Sequence, residues 1–149
     1  MKLSKNFSRA EIEHSNTAKR LGISNEMSEK HLENMQRLID NLIQPIRDAI
    51  GPIRISSGYR SPKLNKAIVG SSRSQHSKAE ALDLQYWSEG KMNNKVIYDW
   101  VLDSGIEFDQ MINEFDFAWI HISLKKNSNR KQTLEAYKDE DGDTAYRLV

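Results

Sequence analysis

The chain has 149 residues, a net charge of +1 and no cysteine. That length supports one domain with a sizeable core, and the near-neutral charge argues against a nucleic-acid footprint built on global charge. The missing thiols exclude disulfide scaffolds, thiolate metal sites and cysteine nucleophiles together.

Met1-Lys2-Leu3-Ser4-Lys5-Asn6 lacks the apolar core of a signal peptide, and no stretch approaches membrane-spanning length. Ser8 followed three residues later by Glu11 is a capping-box pattern, opening a short helix over residues 7–13. Gly22 and Ser24-Asn25 break the next segment. Over residues 28–50, Leu32, Met35, Leu38, Ile39, Leu42, Ile43, Ile46 and Ile50 recur at helical spacing. They predict one long helix with a single apolar stripe, bent or broken at Pro45. Gly51-Pro52 ends it, and residues 53–56 alternate as a short strand. Ser61-Pro62 opens a helix to about Ala67, and residues 69–77 read as a polar loop delivering His76. Residues 81–86 form a strand carrying Asp83. Residues 91–103 predict a helix burying Val96, Ile97, Trp100 and Val101, closed by Gly105.

Residues 109–114 and 118–124 read as a hairpin, and 127–137 as a terminal helix. Basic residues cluster at Lys125-Lys126 and Arg130-Lys131, a solvated face that could also help capture an anionic polymer. The run from Asp139 to Asp143 lacks the later glutamate of a calcium loop and reads as a solvated acidic turn. There is no internal repeat and no linker. The expected fold is α+β: a small antiparallel sheet carrying the functional site, with helices on one side, in a single domain spanning residues 1–149.

His76 and Asp83 lie seven residues apart, and His121 sits in the apolar run Ala118-Trp119-Ile120-His121-Ile122-Ser123. Two imidazoles and a carboxylate make a three-ligand zinc set that leaves a fourth position open, the mark of a catalytic ion. Each residue also has a plainer reading. A loop histidine such as His76 is commonly exposed, and a strand histidine such as His121 is commonly a hydrogen-bonded core residue. Asp83 between Leu82 and Leu84 fits a plain role less well, because an unpaired carboxylate beside a core is costly.

The surrounding segments follow a recognisable order: Ser57-Gly58-Tyr59-Arg60-Ser61, then Ser74-Gln75-His76 with Asp83 seven on, then Phe108-Asp109-Gln110, then Trp119-Ile120-His121-Ile122-Ser123. In this order and spacing, from about Phe7 to Tyr137, the chain resembles the M15 family of zinc D,D-peptidases. The likeness is to its D-alanyl-D-alanine carboxypeptidase-like branch, common among phage endolysins. The resemblance implies Zn2+ held by His76, Asp83 and His121. It also implies Arg60 on a substrate or transition-state oxygen, and Ser74 as a second polar group facing the substrate. Arginine's planar fork suits a carboxylate or oxyanion. Trp119 shares a strand face with His121 and so walls the site or fills the core.

Two positions depart from the family. An acidic residue commonly stands three before the second zinc histidine, where this chain has Ala118. If the hairpin turns through residues 115–118, Glu114 pairs with Trp119 and Ile112 with His121. Glu114 is then the expected general base and Asp116 sits in the turn; a one-residue shift in register would reverse the two. Ala79 stands where the family has glycine, which is tolerable if φ stays negative.

The resemblance implies hydrolysis of a peptidoglycan stem peptide at a D-Ala-D-Ala or L-Ala-D-Glu bond, by a monomer without nucleic-acid or membrane partners. A chain without a signal would be made in the cytoplasm and reach the wall at phage lysis or from a virion. The alternative is a non-catalytic, zinc-stabilised virion or wall-binding module of the same fold.

Overall fold

The computed structural model describes residues 1–68 and 74–149, so the first part of the expected loop 69–77 lies outside the described residues. Serine hydroxyls start the helices. α1 (Arg9–Glu13), α2 (Asn16–Leu21) and α3 (Glu29–Leu38) begin after Ser8, Ser15 and Ser28, whose side chains accept from backbone N–H groups at 3.1–3.2 Å. Each cap satisfies a donor that the first helical turn leaves unpaired.

The long apolar stripe is continuous, but the helix changes pitch within it. α3 runs into a π-helical turn over Ile39–Ile43 and then into α4 (Gln44–Ile50), with Pro45 in the first turn of α4. Proline has no N–H to donate and its ring crowds the preceding turn, so the wider π turn accommodates it without ending the helix. Met35, Leu38, Ile39, Leu42, Ile43 and Ile46 are all fully buried. Each such side chain contributes about 1.5–3 kcal/mol of hydrophobic stabilisation.

The stripe packs on one face of a sheet. Its strands are β1 (Ile53–Ser57), β2 (Ala81–Ser88), β3 (Lys91–Met92), β4 (Gln110–Glu114), β5 (Trp119–Ser123), β6 (Gln132–Lys138) and β7 (Thr144–Leu148). The order is β1-β2-β5-β4-β6-β7, with β3 paired to β2. α5 (Pro62–Ala67) follows β1, capped by Ser61, and α6 (Lys95–Ser104) precedes β4. Leu82, Leu84, Met111, Ile120 and Ile122 join the helical stripe, Ile97 and Val101 in one hydrophobic cluster. Alternation then turns Asp83, His121, Ile112 and Glu114 to the opposite face. The fold class is α+β, as the pattern indicates, but the sheet is larger than a small antiparallel one.

Three expectations need correction. Residues 127–137 do not form a helix: β6 pairs in parallel with β4, Ile112 opposite Leu134 and Glu114 opposite Ala136. Long-range ladder bonds to β4 override a local pattern that does not distinguish helix from strand. The helix expected from Lys91 begins at Lys95, because Lys91–Met92 pairs with β2. Ala79 has φ +58°, in the left-handed region that glycine occupies without strain. It is fully buried, so contact of its methyl group with the core offsets part of that strain. Among the described residues no helix is long and apolar enough to cross a membrane.

Candidate active site

The β4–β5 hairpin has the register that the alternation suggests. Glu114 pairs with Trp119 and Ile112 with His121, while β2 brings Asp83 opposite His121. The turn between Glu114 and Trp119 is strained, since Phe115, Asp116 and Phe117 all have positive φ. It is pinned from several sides. Asn113 Oδ1 accepts from the Phe117 N–H at 2.6 Å, and buried Asn94 donates to the Phe117 and Ala118 carbonyls at 2.8 and 3.0 Å. The turn therefore fixes where Glu114 and Trp119 point.

His76 arrives differently, on a 3-10 turn (Gln75–Lys78) capped by the Ser74 hydroxyl. Its Nδ1 lies 2.8 Å from the Gly58 carbonyl. A carbonyl only accepts, so Nδ1 carries the hydrogen and Nε2 faces Asp83 Oδ1 at 3.2 Å. Gly58 is constrained by space rather than by a positive φ. A Cβ there would stand 2.2 Å from the Ile12 carbonyl oxygen. Any side chain would displace the backbone that holds His76.

His121 Nδ1 lies 3.1 Å from the same Asp83 oxygen, and the two imidazole centroids are 5.2 Å apart. The ligating atoms of His76, Asp83 and His121 all fall within 4.8 Å of one another. Burial alone would raise the Asp83 carboxyl, but the imidazoles beside it, His76 foremost, hold it well below the usual carboxylate range. With Nδ1–H committed to Gly58, a neutral His76 would set its Nε2 lone pair against a carboxylate oxygen. A cation among the three groups relieves that repulsion, and a carbonyl orienting the far nitrogen is the usual support for a metal-bound histidine. The donor set fits a metal ion.

These groups open onto a cleft of about 850 Å³. Glu114, 8% exposed, lies in it, and its carboxyl is raised to about 7. Burial is the main cause, with the Asp83 charge adding to it and His121 opposing. Asp116 is exposed in the turn and does not line the cleft. Arg60 does, and it donates from Nη2 to Ser74 Oγ at 3.3 Å. Its buried Nε has no partner among the described residues. In sheet order Arg60, following β1, and Glu114, on β4, flank the ligand strands β2 and β5.

A family model described as Peptidase M15 matches residues 5–123. The chain belongs to the M15 peptidase family. The family is one of metallopeptidases, and the three-residue group able to hold a metal lies within the matched segment. Comparison with curated proteins gives no match.

The rest of this M15 peptidase's cleft includes residues that sequence reasoning passed over. Asp109 is fully buried, accepts from Gln75 Nε2 at 3.1 Å, and takes three donors from Arg130: Nε, Nη2 and the backbone N–H. Lys125 Nζ stands 3.6 Å away. Lys125 and Arg130, expected on a solvated face, thus line the cleft and tie its floor to the residue before His76. The signal available was Asp109 itself, an acidic residue directly following Phe108 at the start of an apolar strand. Phe115, Leu134 and Tyr146 also line the cleft, the last two on strands beyond the matched segment.

The Asp109 pairing predicts an acid-dependent stability. Burial would raise its pKa, but the Arg130 hydrogen bonds hold it down to about 2. A depressed carboxyl adds stability above its unfolded pKa near 3.9 and loses it as pH falls through 2. Asp109→Asn should cost about 2 kcal/mol at neutral pH, with the gap closing between roughly pH 4 and pH 2. Urea melts of both proteins from pH 2 to 7 check this; a gap independent of pH contradicts it.

Proposed function

We propose that the chain is a zinc-dependent peptidase that hydrolyses peptidoglycan stem peptides, as a D-Ala-D-Ala carboxypeptidase or an L-Ala-D-Glu endopeptidase of phage-endolysin type. The observation that carries this reading is Glu114, buried with a raised pKa in the same cleft and on the same sheet face as the His76, Asp83 and His121 group. It supports the reading despite Ala118, since the cleft has a carboxyl from the neighbouring strand.

His76, Asp83 and His121 would hold the ion. Zinc in such a site supplies Lewis acidity toward water and toward the scissile carbonyl. Glu114 takes a proton from the attacking water as the carbon–oxygen bond forms, and gives a proton to the amide nitrogen as the carbon–nitrogen bond breaks. Burial raises this carboxyl in the metal-free site, which offsets part of the lowering that a bound cation would bring and keeps it able to accept and return a proton. Arg60 lines the cleft and would offer guanidinium donors to the carbonyl oxygen or a substrate carboxylate. Ser74 holds Arg60 at its Nη2. Trp119, with its ring tilted against Phe115 at 5.5 Å between centroids, forms an aromatic wall for the peptide.

Mass spectrometry of muropeptides digested by the zinc-loaded protein tests the reading and names the bond cut. Stem peptides left intact would favour a non-catalytic, zinc-stabilised module. Arg60→Lys should keep its zinc and lose roughly ten- to a hundredfold in turnover, because lysine offers a point charge without the fork. Unchanged turnover in that variant would make Arg60 a structural residue.

A further inference from the structure

The β6–β7 hairpin lies beyond the segment matched to the family, yet it extends the sheet that carries the site. One row of directly paired residues crosses four strands. Trp119 on β5 faces Glu114 on β4, Glu114 faces Ala136 on β6, and Ala136 faces Tyr146 on β7. Paired residues share a face, and Trp119, Glu114 and Tyr146 of this row line the cleft. Ala136 between them is only a methyl group, which leaves room for the tyrosine ring to lean toward Glu114.

The hairpin is anchored from behind. On the opposite face Arg147 pairs with Glu135 at 3.0 Å and covers the Tyr137 ring at 4.3 Å. At the end of the chain the Thr133 hydroxyl donates to the Val149 carbonyl at 2.7 Å. Tyr146 is 54% exposed and lines the cleft. Burial first, and then the Glu114 and Asp83 charges, raise its pKa further above neutrality, and the phenol is a donor there in any case.

Resting on the stem-peptide reading above, we propose that Tyr146 is a substrate-binding residue whose hydroxyl donates to an acceptor oxygen of the stem peptide away from the scissile bond. Distance supports contact away from the bond. Three strand spacings separate β5 from β7, roughly 14 Å, and the tyrosine side chain spans part of that interval. What remains matches one or two residues of extended peptide at about 3.3–3.6 Å each. Tyr146 therefore sets affinity and substrate length rather than the chemical step.

Tyr146→Phe removes only the hydroxyl from a half-exposed ring, so folding and zinc content should be unchanged. With full-stem muropeptides KM should rise roughly five- to tenfold while kcat stays near wild type. A short dipeptide substrate should show no difference. Calorimetric binding of the same muropeptides to the metal-free protein should weaken by a similar factor, and Tyr146→Ala should weaken it further. Wild-type KM and affinity in the phenylalanine variant would overturn this assignment alone. A wild-type protein that neither cut nor bound muropeptides would overturn the stem-peptide reading and this assignment with it.

Discussion

His76→Ala should bind less than a tenth of the zinc held by the wild type, which is expected to carry about one ion per chain. Turnover should fall at least a thousandfold. The variant leaves Asp83 and His121 as the only two members of the group, and two ligands do not hold the ion against competition from water. It also leaves the Gly58 carbonyl without its imidazole partner, in a buried setting where an unsatisfied acceptor costs about 1–3 kcal/mol. Elemental analysis after dialysis measures the first effect, and circular dichroism checks that the chain still folds. A folded variant with wild-type zinc would remove His76 from the ligand set. Adding zinc should raise the melting temperature of the wild type and leave the variant almost unmoved.

Glu114→Gln has the second largest expected effect, and its signature is different. Glutamine keeps the size and an acceptor oxygen but does not take up a proton, so zinc should remain bound while cleavage falls roughly a hundredfold or more. In the wild type kcat/KM should rise with pH as Glu114 loses its proton. Because a bound cation pulls that pKa down from about 7, the acid limb should sit at or below neutrality. The limb should vanish in the variant.

Stability should move the opposite way. A carboxyl whose folded pKa lies above its unfolded value makes the metal-free protein less stable as pH rises from about 4.5 to 7. Metal-free Glu114→Gln should therefore be more stable than wild type at pH 8, by roughly 1–3 kcal/mol, and no more stable below pH 4. Asp116→Asn should change neither activity nor stability appreciably, since Asp116 is exposed in the turn outside the cleft. If Asp116→Asn were the damaging change instead, the base would have to be reassigned.

Short-range physics made much of this molecule readable in advance. Ser8 and Ser61 cap helices because their hydroxyls reach a backbone N–H three residues on, a contact contained within one turn. The stripe from Leu32 to Ile50 is a matter of helical period. The pairing of Glu114 with Trp119 follows from turn length and strand alternation, so the side of the sheet that faces the ligands was open to inference. The types and spacing of His76, Asp83 and His121 suggested a metal only together with the ordered segments around them that resemble the family.

Other features depended on contacts between segments distant in sequence. Residues 132–138 become a strand because β4 offers a free edge, and that edge exists only once the sheet has assembled. Asp109 gains its role from Gln75 and Arg130, 34 and 21 residues away. Gly58 is held to glycine by the Ile12 carbonyl, which packing of α1 brings against it. Ala79 takes a left-handed backbone because the turn behind His76 must close there, whatever residue occupies the position. Tyr146 joins the cleft through a row of pairings that crosses β5, β4, β6 and β7. Period, caps and turn length act over a few residues and are written into the chain locally. Strand neighbours, close approaches and cleft walls depend on which segments meet, and that is decided only when the core closes.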